Sequence, residues 1–344
     1  MARRNARTAR TFALAALVVL VLAVTAAGCG GGDSAGASGG GGTLSLVAYS
    51  TPREAYEEII PAFEETPAGA GVDFEQSYAS SGEQSRAVES GLDADVVAFS
   101  LEPDVTRLVD AGLVAPDWAE DEYDGMVTES VVVFVVREGN PENIRTWDDL
   151  VREGVEVITP NPFTSGGAQW NIMASYGAQL EQGASEEEGI EYLRELFLEH
   201  VPVQDKSARE SLQTFLAGKG DVLLAYENEA IFAQQADRPL EYVVPDETIL
   251  IENPVAVTTD SAEPRAAQAF VDYLRSPEAQ RVFGEKGYRP VVEEVLGEFE
   301  YPEPTGLFTI ADLGGWDDVR TRFFDREESI FADIETELGV PTDG

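Results

Sequence analysis

Imidazole and thiol are scarce in this chain of 344 residues, which has one histidine, His200, and one cysteine, Cys29, and no pair stands out among its 64 carboxylates. His200 falls in LEHVPV ahead of a predicted strand, where packing or surface exposure is its expected role. There is no P-loop, no zinc-ligand spacing and no GxSxG elbow, and Ser165 has no histidine marked as its base. Residues 121–125 lack the alternating oxygen ligands of a calcium loop. What the sequence offers instead is a segment built to hold something, TPNPFTSGGAQWN at residues 159–171. Thr164, Ser165, Gly166 and Gly167 lie where the β-branched run VEVITP gives way to helical spacing from Ala168. The first N–H groups of a helix lack intrahelical partners and carry the positive end of its dipole, and two glycines allow close approach to that backbone. The chemistry this implies is anion binding.

One TSGG before a helix is ordinary turn and cap chemistry. Other helix starts repeat the design. After LSLVAY, Thr51 is the expected N-cap, Pro52 the first helical residue and Glu54 the capping-box partner; after VDFEQSYA, Ser81 and Gln84 repeat the box around Gly82; ahead of Ala208, Ser207 and Glu210 form a third. In an open α/β sheet such turns gather at the carboxyl edges of the strands, so these starts can converge on one small anion. Further strands are expected in DVVAF (95–99), SVVVFVVR (130–137), DVLLAY (221–226), EYVVP (241–245) and PVAVTT (254–259), with a helical pattern at 190–198. Alternation of this kind predicts α/β layers.

Residues 1–28 read as an export segment, with Arg3, Arg4, Arg7 and Arg10 before an apolar run that ends in small residues at Cys29. Residues 29–42 are mostly glycine, serine and alanine, a flexible tether. With 64 acidic and 23 basic residues the formal charge is −41, and loss of the export segment moves it to about −45. Such a composition implies no nucleic-acid partner, and its acidic runs, 120–122 and 186–188, read as solvated faces.

The chain resembles the extracytoplasmic sulfate-binding proteins of ABC importers, a family within the two-lobed periplasmic-binding-protein superfamily. The matching stretches run in order through the chain: AYSTPREAYE (48–57), SSGEQ (80–84), GNPENIRTWDDL (139–150), VITPNPFTSGGAQWN (157–171), SARESLQTF (207–215), GDVLLAYENEA (220–230), YRP (288–290) and LFTIADLGGW (307–316). The resemblance implies a type II α/β fold with a ligand cleft between lobes. It places a first lobe at 43–128, a second at 129–252 and a return at 253–344, with hinge strands near 129–136 and 243–255. It also implies a lipobox at Cys29, where Ala26 replaces the usual leucine, and hence a lipid anchor on the outer face of the cytoplasmic membrane. Cleavage without lipidation would leave the protein periplasmic.

The expected partners are sulfate or thiosulfate, a permease and its ATPase. No cofactor or metal is implied, and a monomer without catalytic residues is expected. Carried over residue by residue, the ligand contacts are Ser50 (backbone N–H, where the family has aspartate), Ser81 (hydroxyl and backbone N–H), Ser165, Gly166, Gly167, the Ala208 amide and Tyr226. Tyr226 stands where the family has a tryptophan, and Arg209 braces the seat from behind. A shell of donors without acceptors favours unprotonated sulfate over phosphate, whose O–H is left unpaired at a cost of about 1–3 kcal/mol. Molybdate and tungstate are rival ligands, and a sensor partner or a hydrolase are rival functions.

Overall fold

The computed structural model describes residues 42–340 and 342, so the export segment, Cys29 and nearly all of the tether lie outside the described residues. Strand and helix alternate from the first residues: β1 (Thr43–Tyr49), α1 (Arg53–Glu64), β2 (Asp73–Ala79), α2 (Ser81–Glu89), β3 (Val96–Ala98) and α3 (Glu102–Asp110). There follow β4 (Met126–Arg137), β5 (Val157–Pro160), α4 (Gly166–Glu181), α5 (Glu186–Glu195), β6 (Val203–Asp205), α6 (Ala208–Leu216) and β7 (Val222–Tyr226). The chain returns through α7 (Glu227–Gln235), β8 (Leu240–Val243), β9 (Glu247–Val257), α8 (Pro264–Leu274) and α9 (Pro277–Glu285).

Hydrogen bonding orders the strands β2-β1-β3-β9-β4-β7-β5-β6. β1 runs parallel to β2 and β3, and β5 runs parallel to β6 and β7. Between these two parallel groups lie the long strands β4 and β9, antiparallel to each other. The first half of β4 pairs with β9 and its second half, from Val132, with β7 and β8, so one strand passes from one lobe into the other. This is the two-lobed α/β arrangement of type II, with β4 and β9 crossing between the lobes.

The apolar runs of these strands are explained by burial on both faces. Along β4, Val132, Phe134 and Val136 enter one core while Val131, Val133 and Val135 enter another. In the first lobe Leu46 and Ala48 of β1 face one cluster and Val47 the other. The C-terminal aromatics join the core of the second lobe: Trp316 packs edge-on to Trp170 at 4.7 Å and Phe331 to Phe197 at 4.8 Å.

Element limits differ from the sequence reading at several points, as where β4 begins at Met126 and not at Ser130. β9 begins at Glu247, well before Pro254, where the apolar run was expected to start. Pro254 is tolerated because it sits opposite Met126 at an irregularity in the β4 ladder, where its missing N–H is not needed. The helical pattern expected at 190–198 begins earlier, as α5 at Glu186, and continues through a wide turn, Leu196–His200. His200 is buried there, its Nδ1 3.0 Å from the Val155 carbonyl.

A neutral cavity at the strand ends

β1, β2 and β3 run one way along the sheet and β5, β6 and β7 the other, and each is followed directly or within a few residues by a helix. Tyr49, Ser50 and Thr51 after β1, Ser80 and Ser81 at α2, Ser100 before α3, Ser165, Gly166 and Gly167 at α4, Ser207 and Ala208 at α6, and Tyr226 at the end of β7 line one cavity. It is small: about 240 Å³ of atom-free space lies within it, counting its opening to solvent. None of its lining side chains is charged. Every residue singled out from the sequence as a ligand contact is among them. Arg209 stands behind, outside the lining.

Local capping places the donors, though not always through the residues expected. At α4, Ser165 is the N-cap but makes no cap bond with its side chain, leaving its hydroxyl toward the cavity. The amides of Gly166 and Gly167 head the helix and lack intrahelical acceptors. At α6 Ser207 caps as expected, accepting from the Glu210 amide at 3.2 Å, while the Glu210 carboxylate accepts from the Lys206 amide. Ala208 is then the first helical residue.

The other two boxes do not form as read. Pro52 takes the cap position of α1, and Thr51 Oγ1 instead shares a 2.8 Å bond with Tyr288 Oη. Glu54 is drawn to Arg209, a charged partner worth more than an exposed cap. At α2 the N-cap is Ser80, one residue early, and Gln84 turns back to the Ala48 carbonyl. Ser81 Oγ donates to Asp104 Oδ2 at 2.6 Å and accepts from the Ser100 amide at 2.9 Å. Its hydroxyl proton is therefore committed to Asp104, and only its backbone N–H is left for the cavity.

Ser100, which the sequence reading passed over, joins the two lobes. Its Oγ lies 2.6 Å from Tyr226 Oη, and its carbonyl accepts from Trp170 Nε1 at 2.8 Å and Asn253 Nδ2 at 3.0 Å. Its one legible mark was a hydroxyl at the end of the predicted strand DVVAF, without a capping pattern to draw notice. Burial, followed by the neighbouring Tyr49, raises the Tyr226 pKa well above its ordinary value, so the phenol stays neutral. Its ring forms the wall beside Gly167, with Cε1 3.6 Å from where a Cβ would stand.

Arg209 on α6 donates to both carboxylate oxygens of Glu54, at 2.7 and 2.9 Å, to Glu229 at 3.0 Å and to the Thr51 carbonyl at 3.2 Å. Burial opposes its charge, but Glu229 and Glu54 outweigh burial and raise its pKa. It also lies over the Phe232 ring at 4.3 Å. The guanidinium thereby holds the backbone at the end of β1 against α6 without entering the cavity.

Residues 44–289 match the model of the bacterial extracellular solute-binding proteins. The chain belongs to that family. This solute-binding protein is 41% identical over 307 residues to the sulfate-binding protein of Synechococcus elongatus, covering 85% of this chain and 87% of the relative. It is 34% identical to the thiosulfate-binding protein of Pseudomonas aeruginosa, covering 82% and 89%. Among solved structures, the sulfate-binding protein SubI from Mycobacterium tuberculosis superposes with a TM-score of 0.80 at 46% identity, over 82% of this chain and 99% of that one.

Proposed function

We propose that the protein captures sulfate outside the cytoplasm and passes it to the permease of an ABC importer driven by a cytoplasmic ATPase. The observation that carries this reading is the cavity itself, small, uncharged and ringed by helix starts. A dianion there is held by the amides of Ser50, Ser81, Gly166, Gly167 and Ala208 and by the Ser165 hydroxyl. Tyr226 serves through Ser100: when the phenol donates to Ser100 Oγ, the serine proton is free to point at the ligand. The sulfate-binding relatives support the same ligand, and the thiosulfate-binding relative makes thiosulfate the second candidate. No carboxylate lines the cavity to accept the proton that phosphate carries, and the relatives are binding proteins.

In this reading residues 1–28 direct export, Cys29 carries the lipid, residues 29–42 tether the domain, and a monomer closes its lobes over the anion. The lobes are 43–128 and 129–252, with the return from 253. Bonds between residues of different lobes, Ser100 with Tyr226 and Glu54 with Arg209, are those expected of a closed state. Calorimetric titration with sulfate, thiosulfate, molybdate and phosphate tests the ligand. Tight sulfate or thiosulfate binding with silent phosphate is expected; preference for molybdate, or no binding at all, overturns it. Labelling with palmitate in cells, lost in Cys29→Ala, tests the anchor.

A further inference from the structure

The C-terminal helix, Ile330–Leu338, lies on the second lobe with Phe331, Ala332 and Ile334 in its core. Glu335 is fully buried beside them, with no ion pair among the described residues. Its Oε2 accepts from Gln204 Nε2 of β6 at 3.2 Å, while its Oε1 is buried without a partner. The Oε1 of Gln204 is buried and unpartnered too. Acid and amide thus share one bond and are each left with a bare acceptor, an unfavourable state. A proton on Glu335 relieves it, since a carboxylic acid has a donor to give and an amide oxygen can take it.

The charged groups nearby are engaged elsewhere. Arg194 of α5 pairs with Glu337, Arg322 pairs with Glu186, and Arg326 donates to the Phe163 carbonyl. His200 is bonded to Val155, and Arg320 lines a hollow that also holds Asp317. Asp205, next to Gln204 in an extended strand, points to the other face and accepts from Thr214. Glu195, Glu199, Asp333 and Glu337 are exposed. Burial raises the Glu335 pKa from 4.5 to about 7, against the smaller pull of the Gln204 bond. The proton is therefore held below about pH 7, and as pH rises through that value a carboxylate forms that its surroundings do not pair.

What Glu335 holds bears on the cavity. β6 has three residues and pairs, among the described residues, with β5 alone. Just beyond Gln204, the Asp205 carbonyl accepts from the Asn161 amide and the Lys206 carbonyl from Thr164 Oγ1, both at 2.8 Å. Asn161 and Thr164 lead into Ser165 and Gly166, and Asp205 and Lys206 lead into Ser207 and Ala208. The end of β6 thereby ties together two of the helix starts that line the cavity.

We infer that Glu335 is a positioning residue for the anion seat: as a neutral acid it fastens the C-terminal helix to β6, and its ionisation frees the helix and loosens the seat. That the seat holds sulfate rests on the function proposed above; the fastening does not. The test is calorimetric titration with sulfate, together with hydrogen exchange of residues 330–338, at about pH 5.5 and about pH 8.5. Wild type is compared with Glu335→Gln, whose amide supplies a donor at every pH. Between the two pH values wild type should lose affinity about threefold or more relative to Glu335→Gln. Its helix should exchange about tenfold faster than that of Glu335→Gln at the higher pH, with the two proteins alike at the lower. Comparing them at one pH cancels the titration of Glu129 and the pH dependence of exchange itself. Parallel affinity profiles overturn the role in the seat, and equal exchange at the higher pH overturns the fastening. If neither protein binds sulfate at either pH, the sulfate reading falls and exchange alone decides the fastening. In wild type, residues 330–338 should also lose protection relative to α4 over the same range, so a poorly folding variant leaves the test intact.

Discussion

Gly166 and Gly167 are neighbours on which a methyl group would act differently. A Cβ on Gly166 would stand 2.8 Å from Ser100 Oγ and 2.8 Å from Leu101 Cδ2, closer than real contacts allow, so Gly166→Ala must displace those two side chains. On Gly167 it would meet Ser165 Oγ at 3.5 Å, Tyr226 Cε1 at 3.6 Å and Ala208 Cβ at 3.7 Å, all ordinary contacts. Gly167→Ala should therefore fold as well as wild type, helped by the better helix propensity of alanine, while its methyl fills the cavity. We expect an unchanged or higher melting temperature and a sulfate affinity at least tenfold lower by calorimetry, where the loss is about 1.4 kcal/mol or more. Unchanged affinity would place the ligand elsewhere. Tyr226→Phe probes the relay through Ser100. Losing one such bond is worth about 0.5–1.5 kcal/mol, so Kd should rise about two- to tenfold; no change would reduce Tyr226 to packing.

Elements are fastened to one another around the site by charges that sequence proximity does not reveal. Arg209 on α6 ties α1 through Glu54 and α7 through Glu229, and Glu229 is 1% exposed. Removing one partner of a buried pair strands the other, at about 3–5 kcal/mol. Arg209→Met should lower the urea midpoint accordingly with little change in m, and Glu229→Gln in the same chain should recover part of the loss. A second pair sits on the crossing strands, where Glu129 of β4 faces Glu252 of β9. Burial, and then Glu252, raise the Glu129 pKa from 4.5 to about 7.

The native state therefore holds a proton there that the unfolded chain has already lost. This contribution to stability is full below about pH 4.5 and disappears as pH rises through about 7. Urea unfolding across that range should show wild type losing stability relative to Glu129→Gln as pH rises; parallel curves would refute the shift. The helix starts were legible because strand, small hydroxyl residue and helical spacing are local signals. The Thr51–Tyr288 bond spans 237 residues and the Arg209–Glu54 pair 155, so the boxes read at Thr51 and Ser81 lost their residues to partners that no local pattern shows. Ser100 escaped notice for the same reason, since its bonds run to Ser81, Trp170, Tyr226 and Asn253.

At the scale of the molecule, a net charge of −41 stands against a proposed dianionic ligand. The inner cavity escapes that field because its uncharged donors act at hydrogen-bond range, where salt screens little. Capture does not escape it. The approach of sulfate is governed by the far field, which extends about 30 Å at 0.01 M salt and about 8 Å at physiological strength. The association rate should therefore rise several-fold as sodium chloride is raised between those limits, while the dissociation rate, set by closed-state contacts, changes little. Trp170, bonded to Ser100 across the cleft and packed edge-on to Trp316, supplies the stopped-flow fluorescence signal. An association rate that falls with added salt would mean that positive charge local to the cavity, not the net charge of the chain, governs the approach. The acidity of the chain would then have no bearing on how the anion is caught.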